Sequence, residues 1–437
     1  MSLPLRVGIA GLGTVGASVI RLLRNQSNAL STLTGRPIVV TGVSARNPNR
    51  DRGVDMAGIA WFDDPVELAQ SASIDLFVEL IGGDEGPARR AVEQALKAGK
   101  PVVTANKALL AKHGMSLAAI AEDKRVALAF EASVAGGIPV VKTLREGLAG
   151  NSIQRVYGIL NGTCNYILSK MEQEGLSFDV CLKEAQNLGY AEADPTFDIG
   201  GFDTAHKLAI LTSLAFGTAI DAEAVHIEGI QAITLEDLRS ADELGFRIKL
   251  LGVAQRTSRG IEQRVHPTMV PKSSPIAQVM GVLNAVTIDA DAVKELTLVG
   301  PGAGGLATAS AVVADIADIA RGIRSAPFGL PTGELEVVER IPVQRHEGGY
   351  YIRLMVQDRP GAVASIATRM AERGISLESI MQKRPLTSKS SAEPKDVVPV
   401  VLITYATTET IVREALDKVV ADGMISGLPQ VIRIERE

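Results

Sequence analysis

Apolar and polar positions follow two different rhythms along this chain, and the rhythm changes twice. Over the first third, short apolar runs at 5–10, 37–44, 74–81, 101–105 and 126–131 alternate with amphipathic stretches at 15–24, 65–71, 87–98 and 108–121. The short runs predict strands and the longer stretches helices, because side chains repeat about every 2 residues in a strand and about every 3.6 in a helix. Strands of this kind between helices predict a parallel sheet covered on both faces. From residue 136 the pattern becomes mixed. A strand at 153–160 is followed by several helices, strands at 261–270 and 285–289, and a glycine-rich turn at 300–305. A helix at 307–324 is expected to return and pack on the first sheet. The stretch 325–332 carries prolines and glycines and reads as a linker. The last part reads strand 350–357, helix 362–373, strands 376–383 and 397–405, helix 409–422 and strand 430–434. That βαββαβ order predicts a ferredoxin-like unit, compact on its own, with a mobile loop at 385–396 between its middle strands.

Composition narrows the class. A chain of 437 residues is too long for one small core and predicts two or three domains. With 46% hydrophobic and 22% charged residues it falls among ordinary globular proteins. A net charge of −5, no basic stripe and only 4% aromatics argue against a nucleic-acid partner. Cys164 and Cys181 are the only cysteines, which gives neither a disulfide framework nor a zinc site and fits a reducing cytosol. No basic segment and long apolar run open the chain, and the apolar stretch 208–220 is interrupted by Thr212, Ser213 and Gly217. A cytoplasmic protein without a membrane partner is expected.

Gly11-Leu12-Gly13-Thr14-Val15-Gly16 joins the first strand to the first helix. Glycines there permit a tight turn and close approach of a pyrophosphate, whose charge meets the helix N-terminus. The strand, the helix and the later βαβ units supply the context that a bare glycine pattern lacks, and predict a Rossmann-type dinucleotide site. The second strand ends at Ser44-Ala45-Arg46, where an NAD-specific site usually has a carboxylate. Arg46, with Arg50 and Arg52 nearby, suits the 2′-phosphate of NADP, with NAD use also possible; a solvated basic loop is the plain alternative. Thr104 and Lys107 follow the strand at 101–105 and are expected to face the nicotinamide and the substrate. A lysine in the first turn of a helix is otherwise unfavourable.

The run Gly189-Tyr190-Ala191-Glu192-Ala193-Asp194-Pro195, continuing to Asp203 and Lys207, concentrates acidic and basic groups. Asp203 and Lys207 are four residues apart in a helical pattern, on a face shared with Ile210, Leu211 and Leu214. Spacing alone serves two readings equally. One is an ordinary helical ion pair. The other is a buried lysine tuned for acid–base work. Asp194 reads equally well as a turn residue before Pro195. His206 is expected to pack or face solvent, and Cys164 to be a small buried residue.

With these segments in place, the chain resembles the homoserine dehydrogenase family. The resemblance rests on 11–16, 78–83, 99–111, 131–139, 160–167, 189–207 and 300–315, and the terminal unit, with Asp358-Arg359-Pro360-Gly361 at its first turn, resembles an ACT domain. It implies a Rossmann-type NAD(P)-binding domain at 1–135 completed by part of 305–325, an α+β catalytic and dimerisation domain at 136–324, a linker at 325–348 and an ACT regulatory domain at 349–437. It implies reversible NAD(P)H-dependent reduction of L-aspartate 4-semialdehyde to L-homoserine, on the route to threonine and methionine. In the roles it implies, Lys207 is the proton donor, Asp203 and Glu192 hold the substrate, and Lys107 assists at the reacting oxygen or the cofactor. Gly189 and Gly304 or Gly302 line the cofactor site. A monovalent cation such as sodium is implied at Glu131, Val134, Gly136 and Ile138, largely through backbone carbonyls; a plain loop fits that segment equally well. The ACT unit implies an amino-acid effector such as threonine, and a homo-oligomer of two or four chains. Two competing expectations are another semialdehyde reductase and a non-catalytic NADP-binding sensor. The first has no use for Glu192, Asp203 and Lys207 together, and the second none for Lys107, Asp203 and Lys207.

Overall fold

A computed structural model describes residues 2–337, 347–382 and 397–435. Its first sheet holds β1 (Leu5–Ala10), β2 (Ile38–Ser44), β3 (Ala60–Phe62), β4 (Leu76–Glu79), β5 (Val102–Thr104) and β6 (Leu128–Ala129). All pairs are parallel, in the order β3-β2-β1-β4-β5-β6. The chain reverses direction across the sheet between β1 and β4, and a crevice opens there at the carboxyl ends of the strands. The central strands β1, β4 and β5 are buried on both faces almost throughout, as their continuous apolar runs predict, whereas the edge strand β3 is not. The helix Gly305–Ala320 does return: Val312 and Ile316 enter the core beneath the Thr14–Asn25 helix. The expected strand at 126–131 is shorter, because Glu131–Ser133 turns into a 3-10 helix.

The second sheet is larger than its sequence pattern suggests. It contains β7 (Ile153–Ile159), β8 (His226–Ile227), β9 (Phe246–Thr257), β10 (Gly260–Pro271), β11 (Leu283–Ala290) and β12 (Lys294–Pro301). β8, β9 and β12 were not expected. β9 is a run buried almost throughout and carries no alternation to betray it, and β12 is a half-exposed edge strand. The Phe202–Phe216 helix packs against this sheet and against the Lys107–Lys124 helix, and it is buried nearly all round rather than on one face.

The ferredoxin-like unit comprises β13 (Glu347–Gln357), β14 (Leu377–Gln382), β15 (Val397–Thr404), β16 (Thr407–Thr408), β17 (Gln430–Ile434) and the helices Ala362–Glu372 and Glu409–Ala421. The loop expected at 385–396 lies outside the described residues. This unit is not separate. β17 pairs in parallel with β10, so both sheets merge into one of 11 strands. A second tie centres on the fully buried Asp237, in the capping box of the Leu235–Glu243 helix, which accepts bonds from Arg353 Nε at 2.7 Å and Tyr351 Oη at 2.9 Å. Nor is 325–332 a loose linker. Phe328 is buried against Phe130 with ring centroids 5.1 Å apart, and Thr332 bonds the Glu122 carboxylate. Among the described residues no helix is long and apolar enough to cross a membrane.

Candidate active site

The Phe202–Phe216 helix starts from Gly201, whose φ of 88° only glycine adopts readily. Asp203 and Lys207 follow one turn apart. Lys207 Nζ donates to Asp203 Oδ2 and to the Leu160 carbonyl, both at 2.7 Å. Lys107 arrives from the other sheet, as the first residue of the helix after β5, and its Nζ lies 2.9 Å from Asp203 Oδ1. One buried carboxylate thus bridges two ammonium groups from two domains. Asn161 caps the Gly162–Glu174 helix with its side-chain oxygen, which leaves its amide nitrogen to hold Asp203 Oδ2 at 2.9 Å and Asp198 Oδ1 at 2.8 Å.

These contacts separate the protonation states of the groups. Burial pushes the Lys207 ammonium below its ordinary range, and neighbouring Lys107 adds to the push; Asp203 opposes it incompletely. Burial works on Lys107 in the same sense, but the carboxylate of Asp203, with Asp198 and Glu192 behind it, reverses the balance and leaves it raised. For Asp203, burial alone would raise the carboxyl, and the two lysines overcome that and hold it ionised. Asp198 is raised by burial and by Asp203. The cluster therefore offers one lysine ready to exchange a proton and one fixed cation.

The crevice beside it fits a dinucleotide. Gly11 has φ 99°, and a Cβ there would stand 2.3 Å from the Leu80 carbonyl oxygen. A Cβ on Gly16 would meet the Gly11 carbonyl oxygen at 2.1 Å. At Gly13, by contrast, a Cβ would meet nothing within 4 Å, and no side chain caps the helix that Thr14 begins. The backbone N–H groups there are open to an anion. Leu12 and Val15 turn their side chains into the core, so only their backbone is offered. Across the crevice, Gly304 (φ 118°) begins the Gly305–Ala320 helix, and Gly305 packs on Thr14 and Ser18. Gly302 is glycine for another reason: the Asn284 side chain lies where its Cβ would be. Arg46 is exposed at the end of β2, and Arg52 Nε reaches the Leu12 carbonyl at 3.3 Å.

The structure also shows where the other expected residues fall. Thr104 is fully buried, and its hydroxyl donates to Glu79 Oε2 at 2.5 Å. Glu79 in turn accepts from the N–H groups of Ile81 and Gly82, so the pair shapes the turn beneath the cofactor crevice. Glu192 is exposed at the cleft, near enough to act on Lys107. Asp194 is a turn residue, accepting from Thr196 N at 3.1 Å. Gly189 (φ 76°) turns the chain after the Phe178–Asn187 helix, and Thr163 Oγ1 ties the adjacent Tyr190 carbonyl at 2.6 Å. Cys164 is buried with its thiol pushed up by burial, and His206 packs edge-on to Phe197. Asn161 and Asp198 are not evident as site residues from the sequence. Neither carries a spacing signal, because each joins the cluster only through tertiary contact.

The segment implied for a cation fits in part. Ala135 and Gly136 both have positive φ, 54° and 53°. Among the described residues no backbone hydrogen bond ends on the carbonyls of Val134 or Gly136, so these two oxygens suit a hard cation. The Ile138 carbonyl is taken by Val140 N at 2.8 Å. The Glu131 carboxylate caps the next helix through the N–H groups of Val141 and Lys142, both at 2.8 Å, and its backbone carbonyl accepts from Val134 N at 3.5 Å, which leaves that oxygen a second lone pair. Burial and Asp315 raise that carboxyl to about 7.

A parallel six-stranded sheet with an open glycine crevice, beside a buried lysine–carboxylate–lysine cluster, defines a nicotinamide-dinucleotide-dependent dehydrogenase. The family models agree in residue range: homoserine dehydrogenase NAD-binding domain over 11–131, homoserine dehydrogenase over 139–317 and ACT domain over 350–419. A homoserine dehydrogenase of Pseudomonas aeruginosa is 44% identical, with 99% of each chain covered. The crystal structure of a homoserine dehydrogenase from Thiobacillus denitrificans superposes with a TM-score of 0.92 at 43% identity, covering 99% of each chain. A hyperthermophilic archaeal homoserine dehydrogenase in complex with NADPH matches with a TM-score of 0.62 at 27% identity, over 73% of this chain and 98% of that one. The chain belongs to the homoserine dehydrogenase family. Its activity is the NAD(P)-dependent interconversion of L-homoserine and L-aspartate 4-semialdehyde in threonine and methionine biosynthesis, with an ACT domain appended.

Proposed function

We propose that Lys207 is the acid–base group of this reaction. The observation that carries this is its burial in contact with Asp203, with a pKa depressed below that of an ordinary lysine. The bound nicotinamide supplies or accepts the hydride. In the reductive direction Lys207 Nζ gives its proton to the aldehyde oxygen as negative charge develops there; in oxidation the unprotonated amine takes the hydroxyl proton. Lys107, raised and therefore charged, stabilises the same oxygen. Asp203, Asp198 and the exposed Glu192 attract the substrate ammonium, and the backbone at Gly189 closes that end of the cleft.

NADP is the proposed cofactor. Arg46 is exposed at the position that would meet a ribose 2′-phosphate. The NADPH complex of the archaeal relative supports the same choice. Gly11, Gly13, Thr14, Gly16 and Gly304 would hold it through backbone. A monovalent cation would be held largely by the backbone carbonyls of Glu131, Val134, Gly136 and Ile138, of which those of Val134 and Gly136 accept no backbone hydrogen bond among the described residues. The proposed setting is cytoplasmic, in a homo-oligomer, with an amino acid such as threonine acting on the ACT unit.

Steady-state oxidation of L-homoserine with NADP and NAD in parallel, with and without threonine, tests the set. A higher kcat/KM with NADP, lowered by threonine, is the expected result. A preference for NAD would refute the role of Arg46, and indifference to threonine would refute that effector.

A further inference from the structure

A cluster of charges lies beside the short seam between β10 and β17. Glu228, just after β8, receives Arg413 Nη2 at 3.1 Å and Arg433 Nη1 at 3.5 Å, and pairs with His226 Nε2 at 3.1 Å. Both arginines belong to the ACT unit, and both also bind the buried Glu409 there. Glu228 is thus a carboxylate of the catalytic domain gripped by two arginines of the regulatory one. Although burial works against it, this company holds its carboxyl well below the usual range.

The other side of the same short loop touches the active site. Glu228 N donates to the Val265 carbonyl at 2.7 Å, and Ile230 N donates to the Ile199 carbonyl at 2.9 Å. A Cβ on Gly229 would stand 2.3 Å from the Ile199 oxygen and 2.8 Å from the Gly200 Cα. A Cβ on Gly201 would stand 3.1 Å from Ile227 Cγ2 and 3.0 Å from Val265 Cγ1. Two backbones therefore lie against each other with glycine at the points of contact, and packing this close transmits displacement rather than absorbing it. Asp198 precedes Ile199 directly, and Asp203 follows Gly201 by two residues.

We propose that Glu228 is a positioning residue. Anchored by Arg413 and Arg433, it sets the 226–230 loop, which in turn sets the segment carrying Asp198 and Asp203 to receive the substrate. A change in the ACT unit that shifts the two arginines is then felt as a change in homoserine affinity. This rests on the reading that Asp198 and Asp203 face the substrate, which the Lys207 and substrate kinetics test separately.

The experiment compares Glu228→Gln, Arg413→Ala and the double variant in the full-length protein. Each is measured for melting temperature, NADPH binding, and kcat and KM for homoserine. Glu228→Gln keeps its shape but loses a charged hydrogen-bond acceptor, and the homoserine KM is expected to rise about tenfold, with kcat and NADPH affinity changing less than about threefold. Arg413→Ala should act in the same direction, and the double variant should be no worse than Glu228→Gln alone, since both changes break one linkage. A folded Glu228→Gln protein with unchanged KM, or additive effects in the double variant, would overturn the proposal. If Glu228→Gln does not fold, Arg413→Ala decides alone: a raised homoserine KM upholds the linkage, and an unchanged one refutes it. A wild-type protein with no homoserine activity would instead refute the reading of the site.

Discussion

Replacing Lys207 by alanine separates catalysis from structure. Its Nζ has two partners, Asp203 Oδ2 and the Leu160 carbonyl. Asp203 is not orphaned by the change, because Lys107 remains at 2.9 Å and the Asn161 amide at 2.9 Å. The Leu160 carbonyl does lose its donor, at a cost of about 1–3 kcal/mol for a buried acceptor. Against a typical domain stability of about 5–15 kcal/mol, the fold should survive. The glycine crevice is untouched, so NADPH binding should stay close to that of the parent. The rate should fall by about 10²–10⁴-fold, the range of a lost general acid–base group, and mostly in kcat. The assay is initial-rate homoserine oxidation followed through the reduced nicotinamide, beside a fluorescence titration with NADPH. In the parent, kcat/KM for oxidation should rise as Lys207 loses its proton, below the ordinary lysine value of 10.5, because its pKa is lowered. A variant that binds NADPH normally and retains kcat within about threefold of the parent would refute the role assigned to Lys207.

Three further outcomes are expected. Gly13→Ala should weaken NADPH binding without lowering the melting temperature, since its Cβ enters only the open crevice; Gly11→Ala should destabilise the protein, since its Cβ collides with the Leu80 carbonyl at a positive φ. Equal melting losses in the two would contradict that contrast. Arg46→Asp should lower kcat/KM with NADP far more than with NAD, and an unchanged ratio would refute a 2′-phosphate contact. Lys249 is buried and bonded to Asn165 Oδ1 and the Val279 carbonyl, and burial lowers it to about 7. The folded state then holds this proton less tightly than the unfolded chain, so its contribution to stability is largest above the ordinary 10.5 and is lost as pH falls through about 7. Urea midpoints at pH values within that window should climb with pH in the parent and climb less in Lys249→Met.

Residues close in sequence were legible and residues joined across domains were not. The glycine turn and the βαββαβ order are local patterns of period and punctuation, and each appears in the structure. The Asp203–Lys207 pair was visible because a helix turn fixes its geometry. Asn161 and Asp198 were invisible as site residues, since an isolated asparagine or aspartate says nothing until another element is brought against it. The hydrogen bond of Thr104 was illegible for the same reason: its strand end points at the crevice, and only the neighbouring strand brings Glu79 to its hydroxyl.

The chain by itself therefore determined the parallel first sheet, the terminal ferredoxin-like unit and the chemical identity of the lysine and carboxylates, because hydrophobic period and turn chemistry act within a few residues. Tertiary structure alone decided which of those groups share charge. By setting Lys107 of one domain against Asp203 of the other, it left Lys207 as the more easily deprotonated of the two lysines. It also merged two sheets that read as separate units, because the β10 edge needed partners for its backbone groups and β17 supplied them.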